Sequence, residues 1–220
     1  MKKLGIGILS LALFAAACEN PADNKPKATV NNTNSNANAT ANTAPAPAKQ
    51  AKGEAIAINN ENSKVGFTGS KVTGKHDGGF NKFTGTVDLV NNKIEESSVS
   101  VEIEMASVFS DADGLTKHLQ TGDFFEVEKH PKSSFSSTKI EADKTKGEGN
   151  YTVTGDLEMR GVKKSITFPA KISASASEVT VDTEFAINRK DFGIVYAGKA
   201  DDLIRDEVVI KLNLKAPRKK

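Results

Sequence analysis

The sequence predicts an all-β fold, a mostly antiparallel sheet closed into a barrel with one short helix. Apolar and polar residues alternate along most of the chain after residue 54, as is typical of half-buried antiparallel strands. Turn-forming residues separate these runs, and only one stretch has helical spacing. A barrel is favoured over a sandwich because closure removes exposed sheet edges, and the domain has few prolines that could protect such edges.

The first residues have the pattern of a bacterial export signal. The basic start "MKK" is followed by an apolar run from 4 to 17, which is too short for an ordinary membrane span. We expect residues 1–17 to be removed as a signal peptide. Loss of Lys2 and Lys3 would take the formal net charge from +2 to zero, and a neutral chain argues against a nucleic-acid partner.

Cys18 is the only cysteine, so an internal disulfide is excluded. Its surroundings, "LFAAACEN", resemble a lipobox, in which the cysteine is diacylated and becomes the new N-terminus. Acyl chains of this kind hold a protein at a membrane. We therefore expect a lipoprotein tethered to a membrane of the cell envelope, facing the periplasm or the cell surface. A chance cysteine at the end of a cleaved signal is the alternative.

Residues 18–53 differ in composition from the rest of the chain, because Asn, Ala, Thr and Pro dominate and aromatic residues are absent. Such a segment buries too little apolar area to offset its ordering entropy, so it is predicted to be a disordered tether. A flexible coil of this length would span on the order of 30 Å. Residues 54–220 have the length of a single domain.

Seven runs are predicted as strands, and about eight to ten strands are expected in all. The clearest alternation is in "SVSVEIEM" (98–105) and "VVIKLNLK" (208–215). The other runs, in chain order, are "KVGF" (64–67), "TVDL" (86–89), "YTVTGDLEM" (151–159), "SITFPAKI" (165–172) and "EVTVDTEFAI" (178–187).

The connections between these runs are predicted from turn residues. "GKHDGG", "NNK", "DKTKGEGN" and "RGVKK" are interpreted as turns. The one helix is expected within "DADGLTKHLQTGD", where Asp111 or Asp113 can cap and Leu115 and Leu119 are four residues apart.

The stretch "HLQTGDFFEVEKHP" (118–131) concentrates histidines, acids and two phenylalanines. The chain has three histidines, and none of them forms the close pair on a helix that a catalytic zinc commonly needs. No Gly-x-Ser-x-Gly elbow occurs, and the glycine-rich "TGKHDGGF" lacks the Gly-Lys-Ser/Thr ending of a phosphate loop. No metal, cofactor or catalytic residue is therefore predicted.

Phe124 and Phe125 are adjacent, so they point in different directions in any regular backbone. We interpret one as closing the barrel interior beneath the helix and the other as packing the helix or its loop onto the wall. The role of His118 is left open.

Four blocks of the chain resemble, in order, the successive motifs of the YceI-like proteins. They are "SKVGFTGSKVTGKHDGGFNKFTGTVDL", "VEIEMASVFSDADGLTKHLQTGDFFEVEKHPKSSFSSTKI", "YTVTGDLEMRGVKKSITFP" and "FAINRKDFGIVYAGKADDLIRDEVVIKLNLKA". The resemblance implies an extended lipocalin-like antiparallel barrel that binds an isoprenoid or similar amphiphile without a known catalytic step. Members are typically soluble in the periplasm, and this chain departs from them by Cys18 and its long tether.

Binding of a long apolar chain needs an apolar lumen with a polar mouth. The head group is expected at the mouth, near Arg160, Arg189 and Arg205. The residues predicted to line the lumen are Phe67, Val101, Ile103, Met105, Phe124, Phe125, Leu157, Phe185, Ile187, Ile210 and Leu212.

The leading hypothesis is a membrane-anchored binder of an isoprenoid or other long-chain lipid, acting as a carrier or in stress protection. A structural or stress-protective envelope protein with a filled barrel is the first alternative. The second alternative is a lipid-modifying enzyme, which would need an acid/base pair lining the lumen, such as His118 with Asp123.

Overall fold

A computed structural model describes residues 20–33 and 53–219. Within these residues the chain forms fourteen β-strands, one α-helix and three short 3-10 helices. The strands are β1 (Thr29–Asn32), β2 (Glu54–Asn59), β3 (Lys64–Lys71), β4 (Gly74–Phe80), β5 (Phe83–Leu89), β6 (Ser98–Glu104), β7 (Val108–Ser110), β8 (Lys132–Ala142), β9 (Asn150–Met159), β10 (Val162–Ala174), β11 (Glu178–Asn188), β12 (Gly198–Lys199), β13 (Asp202–Leu203) and β14 (Glu207–Pro217), and the helix is α1 (Asp113–Leu119).

Twelve of these strands form one sheet that curls on itself. Its order is β2-β5-β6-β8-β9-β10-β11-β14-β3-β4-β7, with β1 paired to β10, while β12 and β13 form a separate hairpin. β2 pairs with β5 and β3 pairs with β14, although only four residues separate β2 from β3 in the chain. The sheet therefore curls until β2 approaches β14, where Arg218 binds Glu54 at 2.6 Å. The predicted antiparallel lipocalin-like barrel is confirmed.

All seven runs with period-two alternation lie in strands, as predicted, except that Met105, at the end of one run, already belongs to a 3-10 helix. The expected number of eight to ten strands is too low, because short strands such as β7 and β13 have too few residues to display alternation. No helix among the described residues is both long and apolar enough to cross a bilayer.

The interpretation of "GKHDGG" as a turn is wrong, because these residues form most of β4. A β-carbon on Gly78 would lie 2.4 Å from the Phe67 ring, and one on Gly79 would lie 2.7 Å from the Val65 carbonyl oxygen. The glycines therefore serve close packing within the sheet, whereas the chain reverses just before them, at residues 72 and 73.

The predicted helix is confirmed as α1, but its predicted cap is not. Ala112 occupies the N-cap position without a side-chain hydrogen bond, and Asp113 already lies in the first turn. Asp111 instead accepts a hydrogen bond from the Asp77 backbone N–H at 3.2 Å and contacts His76 at 2.8 Å. Asp111 therefore ties the start of the helical segment to β4.

Part of the predicted tether is not disordered, because residues 20–33 pack on the barrel. Ala22 is only 1% exposed and lies against Ala186 and Val209 on the outer face. The Ala28 N–H donates to the Ala186 carbonyl and the Ala186 N–H donates to the Pro26 carbonyl, each at 2.8 Å. Composition alone missed this packing, because small side chains and backbone hydrogen bonds supply it. The predicted signal peptide at residues 1–17, Cys18 and residues 34–52 lie outside the described residues.

Pro169 explains why the wall accepts an added strand. β10 and β11 pair only from Lys171 to Ala174, beyond Pro169, which has no N–H to continue the ladder toward β11. The earlier part of β10, residues 164–167, pairs with β1 instead. The N-terminal segment thus fills the seam that opens where β10 and β11 diverge.

We expect Ala22→Glu to detach the N-terminal segment and leave the barrel folded. A carboxylate cannot be accommodated at this buried contact without a partner. The Ala186 N–H would then lose its bond to Pro26, and its hydrogen exchange should accelerate roughly tenfold or more. Exchange measured by NMR checks this, with Asn31→Glu, at an exposed position of the same segment, as the control. Unchanged exchange in Ala22→Glu would contradict the role of this contact.

Candidate functional site

An apolar cavity of about 130 Å³ lies inside the barrel. Alternate residues of the strands face it, so the period-two pattern of the sequence sets its apolar character. Its lining consists of Val65, Gly66, Phe80, Val99, Val101, Ile103, Met105, Ser133, Phe135, Ile140, Val153, Leu157, Met159, Ile166, Phe168, Ile172, Val181, Phe185, Ile187, Ile210, Leu212 and Leu214.

A second apolar cavity, of about 310 Å³, lies between the barrel and α1. Four residues border both cavities, namely Phe80, Met159, Ile187 and Ile210. The two spaces therefore adjoin, with only side chains between them. Small-molecule sites commonly have volumes of roughly 300–1,000 Å³, and the two cavities together reach this range.

Aromatic rings shape the inner cavity. Phe168 stacks on Phe185 with 4.2 Å between ring centroids and is tilted against Phe135 at 5.7 Å. Phe135 fits because Gly155 lies beneath it, where a β-carbon would approach the ring to 2.4 Å. The wall of the inner cavity at this point thus consists of three phenylalanine rings that pack on each other, one of which also packs on the backbone at Gly155.

Each of the predicted lumen residues borders one or both cavities. Phe67, Phe124 and Phe125 line the outer cavity, Ile187 and Ile210 line both, and the remaining predicted residues line the inner cavity. Their contact with a ligand stays a prediction. The prediction omitted Phe168 and Ile166, although both lie in an alternating run, because a strand pattern does not tell which inward residue reaches open space.

Phe124 and Phe125 approach the outer cavity from different directions. Phe124 is buried and packs edge-on against Tyr196 and His118, whereas Phe125 contacts Phe80 with 5.8 Å between ring centroids. Phe124 thus packs the segment after α1 onto the loop that carries Tyr196, and Phe125 faces the barrel wall.

His118 and Asp123 do form a pair, with 2.8 Å between Nε2 and Oδ2. Both side chains are partly exposed, and the His118 ring packs against Phe124 and Tyr196. The described residues that border the two cavities include neither member of the pair. The His118–Asp123 pair connects the end of α1 to the turn that follows it. Within residues 20–33 and 53–219, no cluster of His, Cys, Asp or Glu could hold a metal ion.

One end of the outer cavity is polar. Ser70, Lys71 and His76 border it there, and Ser70 is only 6% exposed. The Ser70 Oγ is buried without a hydrogen-bond partner among the described residues.

Two carboxyl groups near the polar end of the outer cavity, those of Asp77 and Asp111, form hydrogen bonds with neighbouring groups. The His76 ring and the Asp77 backbone N–H lower the pKa of the Asp111 carboxyl below its usual value. Hydrogen bonds from Thr68 and Lys211 likewise lower the pKa of Asp77. These carboxyl groups are therefore ionised at neutral pH.

The three predicted head-group arginines have different surroundings. Arg160 donates to the carbonyls of Gly193 and Gly122, the latter at 2.8 Å. Arg189 is buried, borders the outer cavity and donates to the Ile194 carbonyl at 2.7 Å. Two of the three guanidinium groups are thus used largely on backbone carbonyls.

Arg205 borders a surface groove that is lined by the segment between β11 and β14. Its Nε is buried without a partner among the described residues. A head-group role stays a prediction for all three arginines.

The chain resembles known proteins over most of its described length. The family model of the YceI-like domain matches residues 57–216. A UPF0312 protein of Pseudomonas putida strain GB-1 is 31% identical over 140 residues, which cover 61% of this chain and 71% of that protein.

Solved structures agree with this similarity. BcnA of Burkholderia cenocepacia is 25% identical with a TM-score of 0.64, covering 72% of this chain and 99% of that one. A polyisoprenoid binding domain from Saccharophagus degradans, implicated in plant cell wall breakdown, has a TM-score of 0.58 at 15% identity, covers 75% of this chain and 100% of that one, and supports the fold alone. The family match spans well over half of the chain, and the chain therefore belongs to the YceI-like family.

Proposed function

We propose that this protein binds an isoprenoid or another long-chain amphiphilic lipid inside its barrel. The observation that carries the proposal is the pair of adjoining apolar cavities that ends at Ser70, Lys71 and His76. An apolar chain would occupy the inner and outer cavities, and its polar end would meet the side chains of Lys71 and His76. The similarity in fold to the S. degradans domain, which is described as polyisoprenoid binding, agrees with this ligand class.

The energetics favour a long apolar ligand. Burial of each CH₂ group contributes roughly 0.8 kcal/mol, so several isoprene units supply substantial affinity without polar contacts. Apolar cavities also disfavour water, which finds few hydrogen-bond partners there.

We further propose that the protein is a lipoprotein of the bacterial cell envelope, anchored through acylated Cys18. The lipobox-like sequence before Cys18 supports this part. An anchored barrel can act as a carrier or store of lipid at that membrane, or protect the envelope under stress.

A filled structural barrel is the competing function, and the free volume of the two cavities argues against it. A lipid-modifying enzyme would need reactive groups at the cavity wall, and the His118–Asp123 pair lies elsewhere. Lipid binding without turnover is the simpler function for this geometry.

Ile210→Trp should strongly weaken lipid binding, because Ile210 borders both cavities and a larger side chain there would separate them and fill part of each. The measurement is lipid extraction and mass spectrometry of the purified full chain, before and after incubation with a prenyl alcohol. We expect bound lipid to fall at least roughly tenfold, since the lost apolar burial exceeds about 1.4 kcal/mol.

The matched control is Lys211→Trp, at the neighbouring position whose side chain points to the outer face and pairs with Asp77. This variant should retain its lipid. Circular dichroism checks that both variants fold. Full lipid content in a folded Ile210→Trp variant, or repeated absence of lipid from the unsubstituted chain, would refute the proposal.

A further inference from the structure

Exposed apolar side chains gather at one end of the barrel. Among the described residues, four large apolar side chains are exposed, and three of them are Val72, Val195 and Leu203, at 53%, 65% and 48%. The Val72 N–H donates to the Leu203 carbonyl at 3.1 Å, so the tip of the β3–β4 hairpin lies beside β13. We name Val72, Val195 and Leu203 the apolar rim.

Val195 lies at the same end of the barrel, in the loop that precedes β12. Two residues after it, the Ala197 carbonyl accepts a hydrogen bond from the Ile204 N–H at 2.9 Å. Isolated exposed apolar residues are common on proteins, whereas a group of them beside a cavity commonly marks an interaction surface.

The apolar rim adjoins the outer cavity. Ser70, Lys71 and Ile204 border that cavity, and Lys71 and Ile204 directly neighbour Val72 and Leu203 in the chain. A surface that covers the rim would therefore lie next to the polar end of the cavity, where a lipid could enter.

The N-terminal segment reaches the same end. Asn20 and Pro21 line a groove together with Gly74 and Lys75, which follow the hairpin tip. Two residues of chain from Asn20 to Cys18 span at most about 7 Å. The apolar run at 4–17 and the cysteine both precede Asn20, so any membrane attachment made by them acts at the end that carries the rim.

We propose that the apolar rim docks on a lipid bilayer, so that the outer cavity faces the membrane from which its ligand comes. This inference rests on the proposed lipid-binding function and adds the surface through which the lipid would pass. It also replaces the picture of a barrel held about 30 Å away by a flexible tether, because residues 20–33 are packed on the wall.

Charge contributes little to this docking. Lys71 pairs with Asp202, and Lys190 pairs with Asp206. The other basic residues near the rim, Lys75, Lys199 and Arg205, are offset in number by nearby acidic residues such as Asp201 and Glu207, so the rim carries little net charge. Insertion of apolar side chains should therefore dominate, and docking should change little between low and high salt.

The test uses the full chain reconstituted into vesicles of phosphatidylethanolamine and phosphatidylglycerol. Val72→Cys and Leu203→Cys are labelled with a polarity-sensitive fluorophore, and Ala176→Cys is labelled in parallel. Ala176 is exposed and lies at the opposite end of the barrel, in the β10–β11 turn, where Glu178 pairs with Pro217. The unsubstituted chain, whose only thiol is Cys18, gives the background.

Labels at 72 and 203 should shift to shorter emission wavelengths with vesicles and be quenched by spin-labelled lipid, whereas the label at 176 should do neither. An equal response at both ends, or a response at 176 alone, would overturn the proposal. A shift at 72 and 203 that needs no vesicles and grows with protein concentration would overturn it in favour of a second copy of the chain.

Lipid extraction of the same samples separates the two proposals. Insertion of the rim without any bound prenyl lipid would leave docking standing and refute the ligand. Bound lipid without insertion of either label would refute docking and leave the ligand standing.

Discussion

Arg189→Met should lower the free energy of unfolding by about 3–5 kcal/mol, because several carbonyls lose their hydrogen-bond donor at about 1–3 kcal/mol each. Arg189 is only 4% exposed. Its guanidinium donates to the carbonyls of Ile194 at 2.7 Å and Ile204 at 3.3 Å, and its Nε donates to the Arg205 carbonyl at 3.0 Å. These bonds join the two arms of the loop between β11 and β14.

Methionine fills much of the same volume but donates no hydrogen bond. The carbonyl of Ile194 is left buried without its donor, and those of Ile204 and Arg205 are left partly buried, so the three losses add together. Burial lowers the pKa of the Arg189 guanidinium and nearby Asp206 opposes this, yet an arginine stays protonated in proteins. The loss should therefore be the same across the neutral pH range.

Urea denaturation measures this loss, and Lys190→Met is the matched control. Lys190 is the next residue, is about half exposed and pairs with Asp206 at the surface, so its replacement should cost less than about 1 kcal/mol. An Arg189→Met variant as stable as the Lys190→Met variant would show that the loop is held by other contacts.

Phe168→Ala should lower the free energy of unfolding by about 3–5 kcal/mol and enlarge the inner cavity. Phe168 is buried, stacks on Phe185 and touches Phe135, so its removal leaves two rings without their packing partner. β10, which carries Phe168, is fixed by ladders to β9 and β1, and the wall can therefore collapse only partly into the space.

Phe168→Leu is the control, because it keeps most of the apolar volume and should cost clearly less than the alanine variant. Thermal or urea unfolding of lipid-free protein gives the two free energies. Equal losses in the two variants would contradict a packing role for the ring. In the presence of prenyl alcohol the Phe168→Ala variant should recover part of its stability, since a ligand that fills the enlarged cavity stabilises the folded state.

The alternating runs predict the strands and their inward side chains. In β6 and β14 most apolar residues recur at every second position, and a one-residue change of register would expose the whole apolar set. Local sequence is therefore sufficient to predict these strands and the apolar character of the lumen. The single helical stretch predicts α1 in the same way.

Other features depend on residues distant in the chain. The glycines of β4 look like turn residues until the Phe67 ring is packed over Gly78. Residues 20–33 have the composition of a disordered tether, yet the seam at Pro169 offers them unpaired backbone groups on β10 and β11.

The barrel class, the helix and the apolar lumen can thus be predicted from the amino-acid sequence alone, because they follow from the period of hydrophobic residues along the chain. The strand order, the division of the lumen into two cavities, the carbonyl partners of Arg189 and the strand that fills the seam become visible only in the folded chain. Some of those features arise from contacts between segments more than a hundred residues apart, such as Ala28 with Ala186, and no local pattern encodes such pairings.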